Sequence, residues 1–108
     1  MAVFYALAEP RRRRIIELLA ANGQLSAGEI QSKFNVTAQA ISQHLGVLLS
    51  AKLVIMKKDA QRHIYQLNPT SVSEVEEWAK DMERLWNDRF EKLDIILEEE
   101  KKKSARKR

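Results

Sequence analysis

Cysteine is absent from this 108-residue chain. That excludes a disulfide framework, a thiolate metal site and a cysteine nucleophile. Glycine occurs three times and proline twice, so the composition favours helix over loop-rich or all-β architectures. No apolar run approaches the roughly 18 residues that a membrane span requires. The opening Met1-Ala2-Val3-Phe4-Tyr5 lacks the basic region and long apolar stretch of a signal peptide. These absences predict a soluble, cytoplasmic protein with no membrane partner. Also missing are a Gly-rich phosphate loop, a G-x-S-x-G elbow and an H-E-x-x-H pair, so no enzyme and no cofactor are expected. What remains is 44% hydrophobic, enough for the core of one compact domain and too much for wholesale disorder.

Charge is unevenly spread. Residues 1–70 carry nine basic and four acidic side chains, and residues 71–100 carry four basic and eleven acidic. Lys101-Lys102-Lys103-Ser104-Ala105-Arg106-Lys107-Arg108 adds six more basic ones, and the formal net charge is +4. A basic body beside an acidic segment suggests that the first 70 residues meet a polyanion while the next 30 do something else.

The hydrophobic pattern explains how. Val3, Phe4 and Leu7 mark a short first helix, and Glu9-Pro10 starts a second, with Pro10 at its first position. Ile15, Ile16, Leu18 and Leu19 give that helix its stripe, and Asn22-Gly23 stops it. Ser26-Ala27-Gly28-Glu29 fits a capping box opening a third helix that Asn35 can end. Thr37 caps a fourth, whose Ile41, Leu45 and Leu48 stand at i, i+4, i+7. Two short helices joined by about three residues, the second well capped, form a helix-turn-helix. Val54-Ile55-Met56 and His63-Ile64-Tyr65-Gln66-Leu67 then flank a polar, basic tip and read as a β-hairpin. Asn68-Pro69-Thr70-Ser71 breaks the chain, with Thr70 or Ser71 able to cap the last helix. From Val72 to about Glu100 neither Gly nor Pro interrupts a stripe in which Val72, Val75, Ala79, Met82, Trp86, Leu93 and Ile96/Leu97 follow 3- and 4-residue steps, with Phe90 near the missing step. Thirty residues of helix span roughly 45 Å, more than a 70-residue domain can cover.

In this order the elements resemble the ArsR-type winged-helix repressors of bacteria and archaea. Phe4-Tyr5-Ala6-Leu7-Ala8-Glu9-Pro10-Arg11-Arg12-Arg13 is similar to that family's ALADPTRR opening. Ile41-Ser42-Gln43-His44-Leu45-Gly46-Val47-Leu48 resembles its SxHLxxL recognition helix, and Ala51-Lys52-Leu53-Val54 its AGLV. The match spans about residues 3–97. Glu77-Trp78 and Arg84-Leu85-Trp86-Asn87-Asp88-Arg89-Phe90-Glu91-Lys92-Leu93 resemble a metal-independent subgroup with an extended last helix. Lys52 stands where the family has Gly, and the wing tip Asp59-Ala60-Gln61 lacks the usual Gly. The resemblance implies a mainly α fold with a small β-hairpin: a winged helix-turn-helix over 1–70 and a dimerisation helix over 71–100; the basic run over 101–108, beyond the match, is expected to be a disordered tail.

With Ile41, Leu45 and Leu48 turned inward, Gln39, Gln43, Gly46 and Ser50 point outward and Ala40, Ser42 and Val47 flank them. Gln pairs its amide with adenine N6 and N7, and Ala40 suits a thymine methyl. Thr37 and Ser42 reach bases or phosphates. Lys57, Lys58 and Arg62 reach phosphates, supplying affinity rather than discrimination. His44 is either a phosphate contact or a packed, hydrogen-bonded histidine. The run Arg11–Arg14 is split around its helix, and ion pairs with Glu9 and Glu17 compete with DNA contact. Phe4, Val75, Ala79, Met82, Trp86, Phe90, Leu93 and Leu97 are the expected dimer interface, although Trp78, Trp86 and Phe90 also fit a ligand pocket. With only His44 and His63 and no cysteine, no metal is expected. The predicted partners are double-stranded DNA and a second copy. The function is a sequence-specific repressor; a protein–protein module acting through the acidic aromatic helix is the alternative, and tail-driven non-specific DNA binding is a third reading.

Overall fold

The computed structural model describes residues 2–106 and, beyond Lys102, the backbone alone. The chain forms α1 (Ala2–Leu7), α2 (Pro10–Asn22), β1 (Gln24–Ser26), α3 (Ala27–Gln31), α4 (Ala38–Ser50), β2 (Val54–Asp59), β3 (Arg62–Leu67) and α5 (Pro69–Arg106). Two compact units result, Met1–Glu74 and Val75–Arg108. Ile15 and Leu19 of α2, Ile30 of α3, Ile41, Leu45 and Leu48 of α4, and Leu53 are fully buried and make the core of the first unit.

Local chemistry sets the element ends. Glu9 accepts from the backbone N–H of Arg12 and Pro10 occupies the first turn of α2, which Gly23 closes at φ +82° by donating to Leu19 O. Ser26 and Glu29 complete the expected capping box: Glu29 N–H donates to Ser26 Oγ at 3.1 Å, and Ser26 N–H to Glu29 Oε1 at 3.0 Å. Thr37 Oγ1 accepts from Ala40 N–H at 3.1 Å and starts α4. The end of α4 is a Schellman motif: Leu53 N–H donates to Leu48 O and Lys52 N–H to Leu49 O, both at 3.0 Å. Lys52 takes the left-handed position, φ +59°, where the resemblance leads one to expect Gly.

Several expectations need correction. The sheet has three antiparallel strands in the order β1-β3-β2, rather than a lone hairpin. Gln24–Ser26 pairs with Ile64–Gln66; three residues are too few to show strand alternation in sequence. Helix α3 stops at Gln31, not Asn35, so the connection to α4 is longer than about three residues. The cap of α5 is Asn68, whose Oδ1 accepts from Thr70 N–H, while Ser71 donates to Lys52 O at 2.5 Å. Asn68 also donates to Lys52 O at 2.8 Å, so one residue starts α5 and braces the turn after α4. The segment expected to be a disordered tail continues α5 as far as Arg106, consistent with the helix propensity of Lys, Ala and Arg; Lys107 and Arg108 lie outside the described residues.

Candidate nucleic-acid interface

Helix α4 presents the outward face that its wheel predicts. Gln39, Ser42, Gln43, Gly46 and Ser50 are exposed, while Ala40, His44 and Val47 are half-buried. Thr37 is exposed as well, but its hydroxyl accepts from Ala40 N–H, so its first role is to begin the helix. Glycine at 46 is not demanded by packing, since a Cβ there would meet nothing within 4 Å. The face continues into an open groove of about 540 Å³ lined by Tyr5, Gln43, Gly46, Val47 and Ser50. Apart from His44, α4 contains no ionisable side chain. What it offers is neutral hydrogen bonding.

The cations sit on the wing. Register pairs Lys57 with Ile64, Lys58 with His63 and Asp59 with Arg62. Strand alternation puts Lys58 and His63 on one face with Met56 and Tyr65, and Lys57, Asp59 and Arg62 on the other. His63 and Tyr65 share a cleft of about 160 Å³ with Gly28 and Gln31 of α3 and Ile41 and Ser42 of α4. His63 is therefore brought beside α4, a placement that no local sequence signal announces. Burial pushes the Tyr65 phenol above its usual range. Arg62 faces Asp59 across the hairpin and also acts on Glu29. The backbone N–H of Ser26, then its hydroxyl, outweigh partial desolvation and, with Arg62 and Lys33, hold the Glu29 carboxyl below its usual range.

The arginine run is mostly structural. Arg12 is buried; its Nε donates to Ala6 O at 2.6 Å and its Nη2 to Tyr5 O at 3.1 Å, and its guanidinium lies 5.4 Å from the Tyr5 ring centre. Arg13 Nη1 donates to Leu7 O at 2.8 Å and Ala8 O at 3.2 Å. These two side chains thus satisfy carbonyls that a six-residue helix leaves without intrahelical partners. Arg11 and Arg14 lie 3.9 Å from Glu9 and 3.3 Å from Glu17, the ion pairs that competed with DNA contact. Arg12 Nη1 also approaches His44 Nδ1 at 3.4 Å. Guanidinium has no acceptor, so Nδ1 accepts and the imidazole proton rests on Nε2. Of the two readings of His44, the geometry supports the packed, hydrogen-bonded one. Desolvation raises the Glu9 carboxyl, but the N–H groups of Arg12 and Arg11 and the charge of Arg11 outweigh it, leaving Glu9 below its usual range.

The expected interface residues fall in both units. Phe4 is half-buried in the first. In the second, Val75 is half-buried and Ala79, Met82, Trp86, Phe90, Leu93 and Leu97 are exposed. Trp86 and Phe90 meet edge to face, 5.0 Å between centroids. Among the described residues no three His, Cys, Asp or Glu side chains are grouped to hold a metal ion, and no helix is long and apolar enough to cross a membrane.

A capped recognition helix with an exposed amide-bearing face, flanked by a basic hairpin, defines a winged helix-turn-helix DNA-binding protein. Comparison with known proteins agrees. A helix-turn-helix domain family matches residues 7–56. The HTH-type transcriptional regulator Rv2034 of Mycobacterium tuberculosis is 41% identical over 81 residues, 75% of this chain and 72% of that protein. The transcriptional repressor SdpR of Bacillus subtilis is 36% identical over 76 residues, 70% of this chain and 83% of that protein. An ArsR-like transcriptional regulator from Rhodococcus superposes with a TM-score of 0.75 at 25% identity, covering 90% of this chain and 88% of its own. The chain belongs to the ArsR-type family of DNA-binding transcriptional regulators, a non-enzymatic family.

Proposed function

We propose that the protein is a homodimeric repressor that reads an imperfect palindrome without a metal ion. The observation that carries this reading is the exposed face of α4, where Gln39 and Gln43 follow the capped N-terminus, in a unit whose wing also carries Lys57 and Lys58. Amide side chains there read adenine edges, and the wing supplies phosphate affinity. A relative of similar sequence is named a transcriptional repressor, which favours repression as the output. Dimerisation is supported by the apolar stripe of α5, since exposed apolar surface of this extent marks an interaction site. Phe4 of α1 adds to that interface. A two-fold dimer places its recognition helices in successive major grooves, about 34–36 Å apart. The absence of cysteine and of any three-carboxylate or histidine group among the described residues supports regulation without metal.

Binding-site selection with the purified protein, followed by titration of Gln43→Ala on the selected site, tests this reading. The variant is expected to lose about 1–3 kcal/mol per base contact and to relax preference at one position of each half-site. Unchanged affinity and preference in both Gln39→Ala and Gln43→Ala would overturn the assignment of α4 as the reading helix.

A further inference from the structure

The cleft between α3, α4 and β3 gathers polar groups that the fold does not use. Gln31, Ser42, His63 and Tyr65 line it, and the rest of its wall is Gly, Ala, Ile and Leu. None of the four makes a side-chain hydrogen bond or ion pair among the described residues. Tyr65 is only 6% exposed, yet no sealed side-chain N or O atom among the described residues lacks a partner. Its hydroxyl therefore opens into the cleft. Burial alone acts on that phenol, which keeps it protonated and able to donate.

We propose that this cleft seats one backbone phosphate of DNA, with His63 as the donor that can become a cation. The proposal rests on the repressor reading for its partner, and adds a phosphate contact whose strength depends on pH.

The donor set selects an anion. Each of the four side chains can present an N–H or O–H, and no carboxylate lines the cleft to hold a cation. An apolar guest would strip water from all four groups and return nothing. Position favours DNA as the source. Ser42 is exposed on the helix that carries Gln39 and Gln43, and His63 stands directly opposite Lys58 on the wing. No permanent cation lines the cleft, so free phosphate in water has little to gain there. DNA already held by α4 and the wing presents its phosphate at high effective concentration.

Of the four groups, only imidazole ordinarily changes charge between pH 5 and 8. The charged side chain facing His63 is Lys58, across the hairpin. Tyr65 shares its strand face, Gln31 and Ser42 face it from α3 and α4, and β1, on the other edge of β3, has no ionisable side chain. Glu29, the one ionisable side chain of α3, is bonded to Ser26, and His44 of α4 is held by Arg12. Arg62 lies on the opposite strand face. Without DNA, an imidazolium at 63 therefore meets only the like charge of Lys58; against a phosphate it makes a charge-assisted hydrogen bond. Binding takes up a proton, and affinity rises as pH falls.

Anisotropy titrations on the selected site at pH 7.5 and 5.5, with helicity checked at both, test this. Wild-type affinity is expected to rise about tenfold at the lower pH, and the salt slope to steepen by about 1.8 in the proposed dimer. His63→Gln keeps a neutral donor and should match wild type at pH 7.5 but lose the gain. His44→Gln, at the other histidine of the chain, should keep the gain. Tyr65→Phe should weaken binding about two- to tenfold per protomer at both pH values. A scan of the operator with single neutral methylphosphonates, using the wild-type protein, should find one position in each half-site that abolishes the gain. A gain that survives in His63→Gln or at every neutralised phosphate overturns the seat, as does selective binding indifferent to pH. A wild-type protein that selects no sequence at either pH overturns the repressor reading instead.

Discussion

Arg12 joins three elements through one guanidinium, and its removal should be felt across the first unit. The perturbation is Arg12→Met, which keeps an unbranched apolar stem and deletes the charge and every donor. Lost are the hydrogen bonds to Ala6 O and Tyr5 O, the 3.4 Å contact with His44 and the cation–π contact with Tyr5. Hydrogen bonds to charged groups contribute about 1.5–3 kcal/mol each, and an orphaned buried carbonyl costs about 1–3 kcal/mol. Relief from burying a cation offsets part of this. A net destabilisation of about 3 kcal/mol is expected, because the Ala6 bond is buried and α1 has few other ties for its carbonyls. For a domain of this size that corresponds to a midpoint fall of roughly 12–24 °C.

The assay is unfolding followed by circular dichroism, in heat and in urea, at one fixed protein concentration, so that the proposed self-association does not alter the comparison. The urea slope should be unchanged while the midpoint falls. Arg12→Lys should recover only part of the loss, since an ammonium lacks the planar fork that reaches two carbonyls and an imidazole at once. If Arg12→Met stays within about 0.5 kcal/mol of wild type, the range for ordinary surface changes, the bracing role is wrong.

Two further perturbations concern stability. The Glu29 carboxyl is held low in the fold, so the unfolded chain binds more protons; its contribution is complete above the unfolded value of about 4.3 and is lost as pH falls through the folded one. Glu29→Gln should therefore be less stable than wild type at pH 7 and converge with it as pH falls through the folded value; a pH-independent gap in urea midpoints would contradict this. Lys52→Gly should raise stability by about 0.5–1 kcal/mol, because relief of the left-handed backbone outweighs the added freedom of the unfolded chain, and an unchanged or lower midpoint would refute it.

Much of this architecture is written in short-range chemistry. Ser26 with Glu29, Thr37 before Ala38, and Gly23 after Asn22 each announce a helix end because the cap and its target lie within four residues. The outward face of α4 follows from the spacing of Ile41, Leu45 and Leu48. What could not be read depends on partners distant in sequence. Gln24–Ser26 becomes a strand only because β3, some forty residues on, offers it an edge. Ser71 looks like a cap until Lys52 O, nineteen residues back, takes its hydroxyl. Four consecutive arginines give no hint that two are consumed by the carbonyls of α1, since that depends on how α1 and α2 pack. The neighbours of His63 in the cleft likewise lie across the fold.

Salt dependence puts these side-chain roles to a direct test. The exposed face of α4 carries no formal charge, so counterion release on DNA must come from elsewhere. Arg12 and Arg13 are occupied with backbone carbonyls, and Arg11 and Arg14 stand beside Glu9 and Glu17. On the wing, Arg62 is offset by Asp59 and Glu29. Lys57 and Lys58 make no ion pair among the described side chains within the usual salt-bridge distance; Lys33 and Lys52 lie off the wing, so the wing itself offers two cations per protomer and four in the proposed dimer. At about −0.9 per phosphate neutralised, the logarithm of the binding constant should fall against the logarithm of salt with a slope of about −3.6. Lys58→Ala should flatten the slope by about 1.8 in the dimer and weaken all sequences alike, and Arg62→Ala should flatten it by less. Titration by fluorescence anisotropy at several salt concentrations measures all three slopes on one selected site. A wild-type slope steeper than about −8 would mean that cations assigned here to the fold bind DNA after all. An unchanged slope in Lys58→Ala would remove the wing from the interface.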